Sequence, residues 1–128
     1  MFSPPLTLFL LPETFAICRL AADAALPAWA MAGPFYAVTR TAHELSLVCA
    51  QDQAPPGIPC QPGWRCLQVA GPLDFALTGV LASLAQPLAA AGVSIFAIST
   101  YDTDYLLVPD EALGAALAAL RSAGHTLA

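Results

Sequence analysis

The stretch SIFAISTYDTDYLLV, residues 94–108, contains two runs of β-branched, aromatic and aliphatic residues around a polar centre. Such runs are typical of strands, and the polar residues between them favour a short turn. We therefore predict a hairpin whose strands are residues 94–99 and 103–108. Pro109, which has no backbone N–H to donate, ends the second strand.

Helical patterns flank this hairpin on both sides. Before it, a strand candidate at residues 65–70 is followed by a helix that Asp74 is expected to cap and Gly92 to end. After it, the acidic pair at residues 110–111 favours the start of a second helix, which ends near Gly124. The apolar stripes of the two helices are Leu77, Val80, Leu81, Leu84 and Leu88, and Leu113, Leu117 and Leu120. With a short edge strand in the last four residues, the predicted order is strand, helix, strand, strand, helix, strand.

The first half of the chain contains a similar hairpin. Residues 35–48 read FYAVTRTAHELSLV, and residues 95–108 read IFAISTYDTDYLLV. The two segments align at an offset of 60 positions, and this alignment matches Glu44 with Asp104. This similarity predicts a tandem of two related units, the first without long helices. Chance similarity between two apolar hairpins is the alternative.

Residues 53–63, QAPPGIPCQPG, resist both helix and strand because they include four prolines and two glycines. We expect a linker here, which divides the chain into a degenerate first repeat, residues 1–61, and a complete second unit, residues 62–128. A chain of 128 residues has room for one core or for two small ones.

The composition disfavours several classes of partner. Hydrophobic residues make up 58% of the chain and charged residues 10%, and the net charge is −5 with four arginines and no lysine. Because no basic surface is available to neutralise phosphates, nucleic acid and anionic membrane surfaces are not expected as partners. The high apolar share indicates that part of the surface is an oligomer interface.

The uncharged residues 75–101 are long enough to span a bilayer by length alone. Gly79, Pro87 and Gly92 interrupt this stretch, and its last third has the composition of a strand, so we interpret it as part of a soluble domain. The amino terminus lacks the basic residue that is typical of a signal peptide. We therefore expect a cytoplasmic protein.

The cysteines and histidines match no catalytic or metal-binding motif. Two disulfides are possible in principle, but without an export signal we expect the four cysteines to be buried thiols. Their spacing is not that of a zinc site, so no metal and no other cofactor is expected. Neither histidine lies in a recognisable catalytic motif, and no nucleophile elbow or phosphate loop is found, so an enzyme is not expected. The residues concerned are Cys18, Cys49, Cys60, Cys66, His43 and His125.

Several of these segments together resemble a known family. Residues 99–108, preceded by residues 71–75 and 78–81, resemble the tandem ACT-domain proteins related to the CASTOR cytosolic arginine sensors. Residues 39–41 and 44–49 look like the first-repeat hairpin of that group. The resemblance extends over nearly the whole chain. It implies an α+β fold, with a ferredoxin-like βαββαβ ACT unit fused to a degenerate, mostly β ACT-like first repeat.

The resemblance also implies a ligand, because the family binds amino acids at interfaces between such units. The positions that match its ligand contacts are Leu77, Gly79, Val80, Tyr101, Thr103 and Asp104. The residue chemistry agrees with this assignment. Backbone amides at residues 78–80, which are Thr78, Gly79 and Val80, lie near a helix start and suit a carboxylate. Asp104 suits an ammonium group, and the hydroxyls of Thr100 and Thr103 add polar contacts.

Two departures from the family disfavour arginine itself as the ligand. The arginine sensor has an acidic residue where this chain has Leu77, and an aromatic residue where this chain has Thr103. A neutral or aromatic amino acid fits better. Simpler interpretations stay open, since Asp104 can be an ordinary turn residue and Gly79 can serve close packing of helix on sheet.

We therefore expect a non-catalytic regulatory or sensor protein that binds a small molecule, an amino acid, and is read by a partner protein. The alternative is an oligomeric protein-interaction module with no physiological small ligand, which the apolar composition and free sheet edges favour.

The apolar composition predicts a homo-oligomer, most simply a homodimer, because so apolar a small chain is expected to cover part of its surface with a second copy. Analytical ultracentrifugation at micromolar concentration should give twice the chain mass of 13.2 kDa. A single species at the monomer mass would contradict this prediction.

Overall fold

The computed structural model describes residues 4–128, which form two compact units. Residues 4–12 together with 65–128 make up the helical unit, and residues 13–64 make up the hairpin unit. Two long strands, β1 (Thr7–Leu20) and β4 (Cys60–Val69), contribute residues to both units. In the sequence, the hairpin unit is therefore inserted into the helical unit rather than placed before it.

The helical unit has the predicted βαββαβ order of elements. After β4 come α1 (Val80–Ala90), β5 (Phe96–Ser99), β6 (Asp104–Pro109), α2 (Leu113–Ser122) and β7 (Thr126–Leu127). Its strands lie in the order β7, β1, β4, β6, β5, with β1 parallel to β7 and β5 antiparallel to β6. The fold is thus α+β, as predicted, with the first residues of β1 placed between β7 and β4.

Both helices bury one apolar stripe against the sheet. In α1 the buried residues are Val80, Leu84 and Leu88, whereas Leu81 is 37% exposed. This spacing of four residues brings the buried side chains onto one helix face. The core they join consists of Leu6, Leu8, Leu67, Val69, Val80, Leu84, Leu88, Val93, Leu106, Val108, Ala116 and Leu120. No helix within residues 4–128 is long and apolar enough to cross a membrane.

The start of α1 differs from the prediction. The helix begins at Val80 after Gly79, whose φ of 77° is left-handed and cannot continue a right-handed helix toward its amino terminus. Asp74 instead caps a preceding turn, where its Oδ1 accepts a hydrogen bond from the Ala76 amide at 2.9 Å. The prediction that Asp74 caps α1 was wrong, whereas Gly92, with a φ of 73°, follows the helix end as expected.

His125 has a structural role in the helical unit. The Leu6 amide donates a hydrogen bond to its Nδ1 at 3.1 Å, and its Nε2 lies 3.1 Å from the carbonyl oxygen of Ser83. A neutral imidazole with the proton on Nε2 satisfies both contacts. The buried ring therefore connects the start of β1 to the first turn of α1.

The hairpin unit contains strands and short 3-10 helices, and no α-helix occurs in residues 13–64. Between β1 and β4 lie β2 (Ala37–Arg40) and β3 (Leu45–Ala50), and the strand order is β2, β3, β1, β4. Antiparallel pairs join β1 to β3 and β2 to β3. The core is small, with Ala16, Cys18, Ala30, Leu45 and Leu47 fully buried.

The predicted linker is only partly irregular. Its last residues belong to β4, which begins at Cys60 and includes Pro62. A proline is tolerated there because β4 is the outer strand of the hairpin unit, where one backbone N–H need not be paired. The division at residues 1–61 and 62–128 also differs from the two compact units, since β1 carries residues 4–12 into the helical unit.

The two hairpins correspond at a spacing one residue shorter than the sequence alignment. Ala37 pairs with Val48, and Phe96 pairs with Leu107, so equivalent positions are 59 residues apart in both strands. The turns agree at this spacing, since the Thr41 amide donates to the Glu44 carbonyl and the Thr100 amide to that of Thr103. The sequence alignment used a spacing of 60 residues, which is one residue too long. It therefore matched residues whose side chains lie on opposite faces of the strands. Asp104 therefore corresponds to Leu45 and not to Glu44, and the internal repeat stays a hypothesis.

The cysteines are not all free thiols. A disulfide joins Cys18 in β1 to Cys60 in β4, neighbouring strands that bring the two Cα atoms within 4.1 Å. Cys49 and Cys66 are free and buried. The expectation of four buried thiols was thus wrong for the first pair, because strand pairing between residues far apart in sequence was not visible in their spacing.

Burial predicts different costs for two leucines of α1. Leu84→Ala should lower the free energy of unfolding by about 2–5 kcal/mol, because it leaves a cavity in a core where Leu84 is 1% exposed. Leu81 is 37% exposed on the same helix, so Leu81→Ala should lower the free energy of unfolding by well under about 1 kcal/mol. Urea denaturation followed by circular dichroism measures both. Equal losses for the two variants would contradict the assigned core.

Candidate functional site

A cleft of about 220 Å³ opens on the helical unit between the segment that precedes α1 and the turn that joins β5 to β6. Its volume is below that of drug-sized pockets, so it suits a small ligand. The residues that line it are Leu73, Asp74, Phe75, Leu77, Val80, Ser99, Thr100, Tyr101, Asp102, Thr103 and Asp104.

The β5–β6 turn is fixed by hydrogen bonds of two threonines. Thr103 is 5% exposed, and its hydroxyl donates to the carbonyl of Val69 in β4 at 2.6 Å. Within the turn, the Thr100 amide and hydroxyl both donate to the Thr103 carbonyl, at 2.8 and 3.1 Å. The Thr103 amide donates back to the Thr100 hydroxyl at 3.3 Å. These bonds hold one wall of the cleft in place.

The opposite wall is attached to the same turn. The Leu73 amide donates to the carbonyl of Asp102 at 2.6 Å. Gly71 permits this close approach, because a β-carbon there would lie 3.0 Å from the Asp102 oxygen and 3.1 Å from the Thr103 β-carbon. A larger residue would therefore push the wall away from the turn.

Asp104 has a half-buried carboxylate at the end of the cleft formed by the two strands. Its Oδ1 accepts a hydrogen bond from the Ser99 hydroxyl at 2.6 Å, and the same two residues are paired across the hairpin. Serine is a neutral donor and does not compensate the negative charge. Among residues 4–128 no salt bridge to Asp104 is formed.

The electrostatic character of the cleft is acidic. Asp74, Asp102 and Asp104 line it, and no arginine is found among the described lining residues. Burial raises the pKa of the neighbouring Tyr105 hydroxyl, and electrostatic interactions with Cys66 and Asp102 raise it further. An anionic ligand is therefore disfavoured, whereas a group that carries an ammonium is favoured.

Two aromatic side chains form the rim. Phe75 is 74% exposed and Tyr101 is 81% exposed, and their rings contact edge to face with centroids 4.9 Å apart. Large apolar surfaces that stay this exposed commonly mark a binding site. Together with the half-exposed Leu77 they give the acidic cleft an apolar edge.

The structure brings together six of the eight residues proposed from sequence. Leu77, Val80, Thr100, Tyr101, Thr103 and Asp104 line the cleft. Thr78 and Gly79 precede α1 and are not among the lining residues. The Ser83 amide donates to the Gly79 carbonyl, so the amides of residues 80–82 come before the first intrahelical bond of α1. Of the three residues proposed to supply helix-start amides, Val80, the first residue of α1, is the one that lines the cleft.

Five lining residues were missed, namely Leu73, Asp74, Phe75, Ser99 and Asp102. Leu73, Asp74 and Phe75 belong to a segment whose likeness to the family was noted, but Asp74 was interpreted as a helix cap. Asp102 lies in the polar turn, between the predicted site residues Tyr101 and Thr103. This place in the sequence is the signal that could have identified Asp102 as a lining residue. Thr103 was found, but its hydroxyl proton is already donated to Val69.

Two family models match the chain. One, described as an ACT domain, matches residues 60–122, and the other, described as an N-terminal domain, matches residues 13–57. Among curated relatives, the human "Cytosolic arginine sensor for mTORC1 subunit 1" is 39% identical over 66 residues, which are 51% of this chain and 20% of the sensor. The chain therefore spans about a fifth of the length of that relative.

Solved structures give the same fold. A protein from Agrobacterium tumefaciens is 41% identical, with a TM-score of 0.93 and coverage of 98% of this chain and 94% of that one. The regulatory subunit of aspartate kinase from Thermus thermophilus has a TM-score of 0.65 at 16% identity, covering 91% of this chain and 95% of that one. At that identity the likeness shows the fold alone. By the match to the ACT-domain model, residues 60–122 of this chain belong to the ACT-domain family.

Proposed function

We propose that the protein is a non-catalytic regulator that binds an amino acid in the cleft between α1 and the β5–β6 turn. The observation that carries this proposal is the half-buried Asp104 carboxylate, whose charge is met only by the neutral Ser99 hydroxyl. A carboxylate in that setting favours a cationic group of a ligand as its partner. The other acidic residues of the lining, Asp74 and Asp102, also favour a cationic group.

The two ends of a zwitterionic amino acid find different partners in this cleft. Its ammonium group suits Asp104, and its carboxylate suits the start of α1, where backbone amides and the helix dipole favour negative charge. Its side chain is then left for the apolar edge of Leu77, Phe75 and Tyr101. This arrangement favours a neutral or aromatic amino acid, and the acidic lining disfavours an aspartate or glutamate side chain.

The relatives support a regulatory role. One is named as a cytosolic arginine sensor and another as the regulatory subunit of an aspartate kinase, although the sensor is five times the length matched here. By analogy we propose a cytoplasmic protein whose ligand state is read by a partner protein. The Leu77 and Thr103 departures favour a ligand other than arginine for this chain.

A second function, assembly without a small ligand, is favoured by the exposed apolar side chains. Phe75, Leu77, Leu81 and Tyr101 are exposed in the helical unit, and a homodimer formed through such a face would cover them.

Calorimetry with each proteinogenic amino acid separates the two functions. A saturable heat with one or a few amino acids supports the regulator, and none with any of them supports the assembly module.

Asp104→Asn should weaken binding of the tightest amino acid from that panel by roughly ten- to a hundredfold. This corresponds to about 1.5–3 kcal/mol, the range for a hydrogen bond to a charged group. The amide keeps the shape of the side chain and can still accept from Ser99, so the melting temperature without ligand should change little. Isothermal titration of wild type and variant measures the affinities.

Two variants control this experiment. Glu111→Gln removes one charge from an exposed position of the same unit outside the cleft, and should leave affinity unchanged. Ser99→Ala removes the hydrogen bond to Asp104 but keeps the charge, so affinity should fall less than in Asp104→Asn. Equal affinities of wild type and Asp104→Asn would refute the role of Asp104. A lower melting temperature without loss of affinity would assign Asp104 to the hairpin alone.

A further inference from the structure

The Cys18–Cys60 disulfide belongs to the hairpin unit, and neither cysteine is among the residues that line the cleft, so this inference is independent of the proposed amino-acid site. Cys18 is 2% exposed and belongs to the small core, whereas Cys60, the first residue of β4, is only half-buried. Next to the bond, the Arg19 amide donates to the carbonyl of Pro59 at 3.0 Å. The two cysteine residues of one bond thus differ in their exposure to solvent.

The hairpin unit depends on this bond more than a larger domain would. Its core cluster has five buried residues, and Cys18 is one of them. The bond closes a loop across a sequence separation of 42 residues, which includes β2, β3 and the proline-rich segment that precedes β4. Small units with little core commonly rely on such covalent closure, and a loop of this length loses much entropy when it is closed.

We infer that the Cys18–Cys60 disulfide is a thiol-exchange site at which Cys60 is the sulfur attacked by an incoming thiol. Exchange requires a thiolate to reach one sulfur of the bond, and in this pair only Cys60 is open to approach. A thiolate of a dithiol reductant attacks Sγ of Cys60, the S–S bond breaks, and its electron pair leaves on Sγ of Cys18, which takes up a proton. The second thiol of the reductant then attacks the mixed disulfide and releases Cys60. The protein gains two thiols, and the dithiol becomes a cyclic disulfide.

The two other cysteines are unsuited to this exchange. Cys49 and Cys66 are each fully buried. Burial raises the pKa of the Cys49 thiol, and the charge of Asp52 raises it further, so less of the reactive thiolate forms there. The exchange is therefore confined to one pair, and the buried cysteines serve as internal controls.

Alkylation of the full chain tests the inference. Wild-type protein that has been reduced and then incubated with oxidised glutathione should lose two hydrogens in mass, and peptide mapping should identify a disulfide between residues 18 and 60. After reduction with dithiothreitol, native iodoacetamide labelling should modify Cys60 first. Reduction should also lower the melting temperature of the wild type, and leave that of the double variant Cys18→Ser, Cys60→Ser unchanged.

Single variants test the asymmetry directly. In Cys18→Ser, the remaining Cys60 should react with iodoacetamide and with oxidised glutathione at least roughly tenfold faster than Cys18 reacts in Cys60→Ser, because only Cys60 is open to solvent. Cys49→Ala, which removes a buried thiol without burying a hydroxyl, should form the Cys18–Cys60 disulfide as the wild type does. Similar rates for the two single variants, or failure of oxidised glutathione to join residues 18 and 60 in the wild type, would overturn the inference.

Discussion

The cleft depends on one buried hydrogen bond, from the Thr103 hydroxyl to the carbonyl of Val69. It attaches the β5–β6 turn to β4, and a backbone bond from Leu73 to Asp102 then attaches the segment before α1 to the same turn. Gly71 favours this close approach, because a β-carbon there would lie 3.0 Å from the Asp102 oxygen and would push the segment and the turn slightly apart. Both walls of the cleft are therefore positioned relative to β4, the central strand of the helical unit. Val80 belongs to the hydrophobic core as well as to the cleft, whereas Tyr101 and Asp104 are displayed on this frame outside the core.

Local features of the structure could be predicted from the sequence, and features that depend on distant pairing could not. The leucine spacing of α1 and the two strand-like runs around residues 100–103 are local patterns, and both elements were found. The start of α1 was misplaced because Asp74 and Gly79 are both compatible with a helix start, and the left-handed φ of Gly79 decides between them. The Cys18–Cys60 bond requires that β1 and β4 be neighbours, which no local pattern indicates.

The same distinction between local patterns and distant contacts explains which residues of the candidate site could be predicted from the sequence. Tyr101 and Asp104 lie in a motif that indicates a hairpin turn and a ligand together, so they were found with the fold. Leu73 and Phe75 reach the cleft only because their segment folds back on the turn, a contact between residues about thirty positions apart. Thr103 shows the limit of carrying over a role, since the residue is in the predicted place while its hydroxyl is used to hold β4. The acidity of the cleft likewise appears only when Asp74, Asp102 and Asp104 are brought together.

The path of β1 gives the chain the topology of an insertion. The helical unit begins with the first residues of β1, is interrupted after residue 12, and resumes at residue 65. In that unit Ala70 bonds to Thr7 while the Arg65 side chain bonds to Leu11, so β1 and β4 run in opposite directions and the interruption falls where the two strands would be joined by a hairpin. No single cleavage of the chain can release the helical unit whole, because Leu6 and Leu8 of its core would be lost with the hairpin unit. A short turn in place of residues 13–64 would keep part of β1 and part of β4 in the helical unit, together with every residue that lines the cleft.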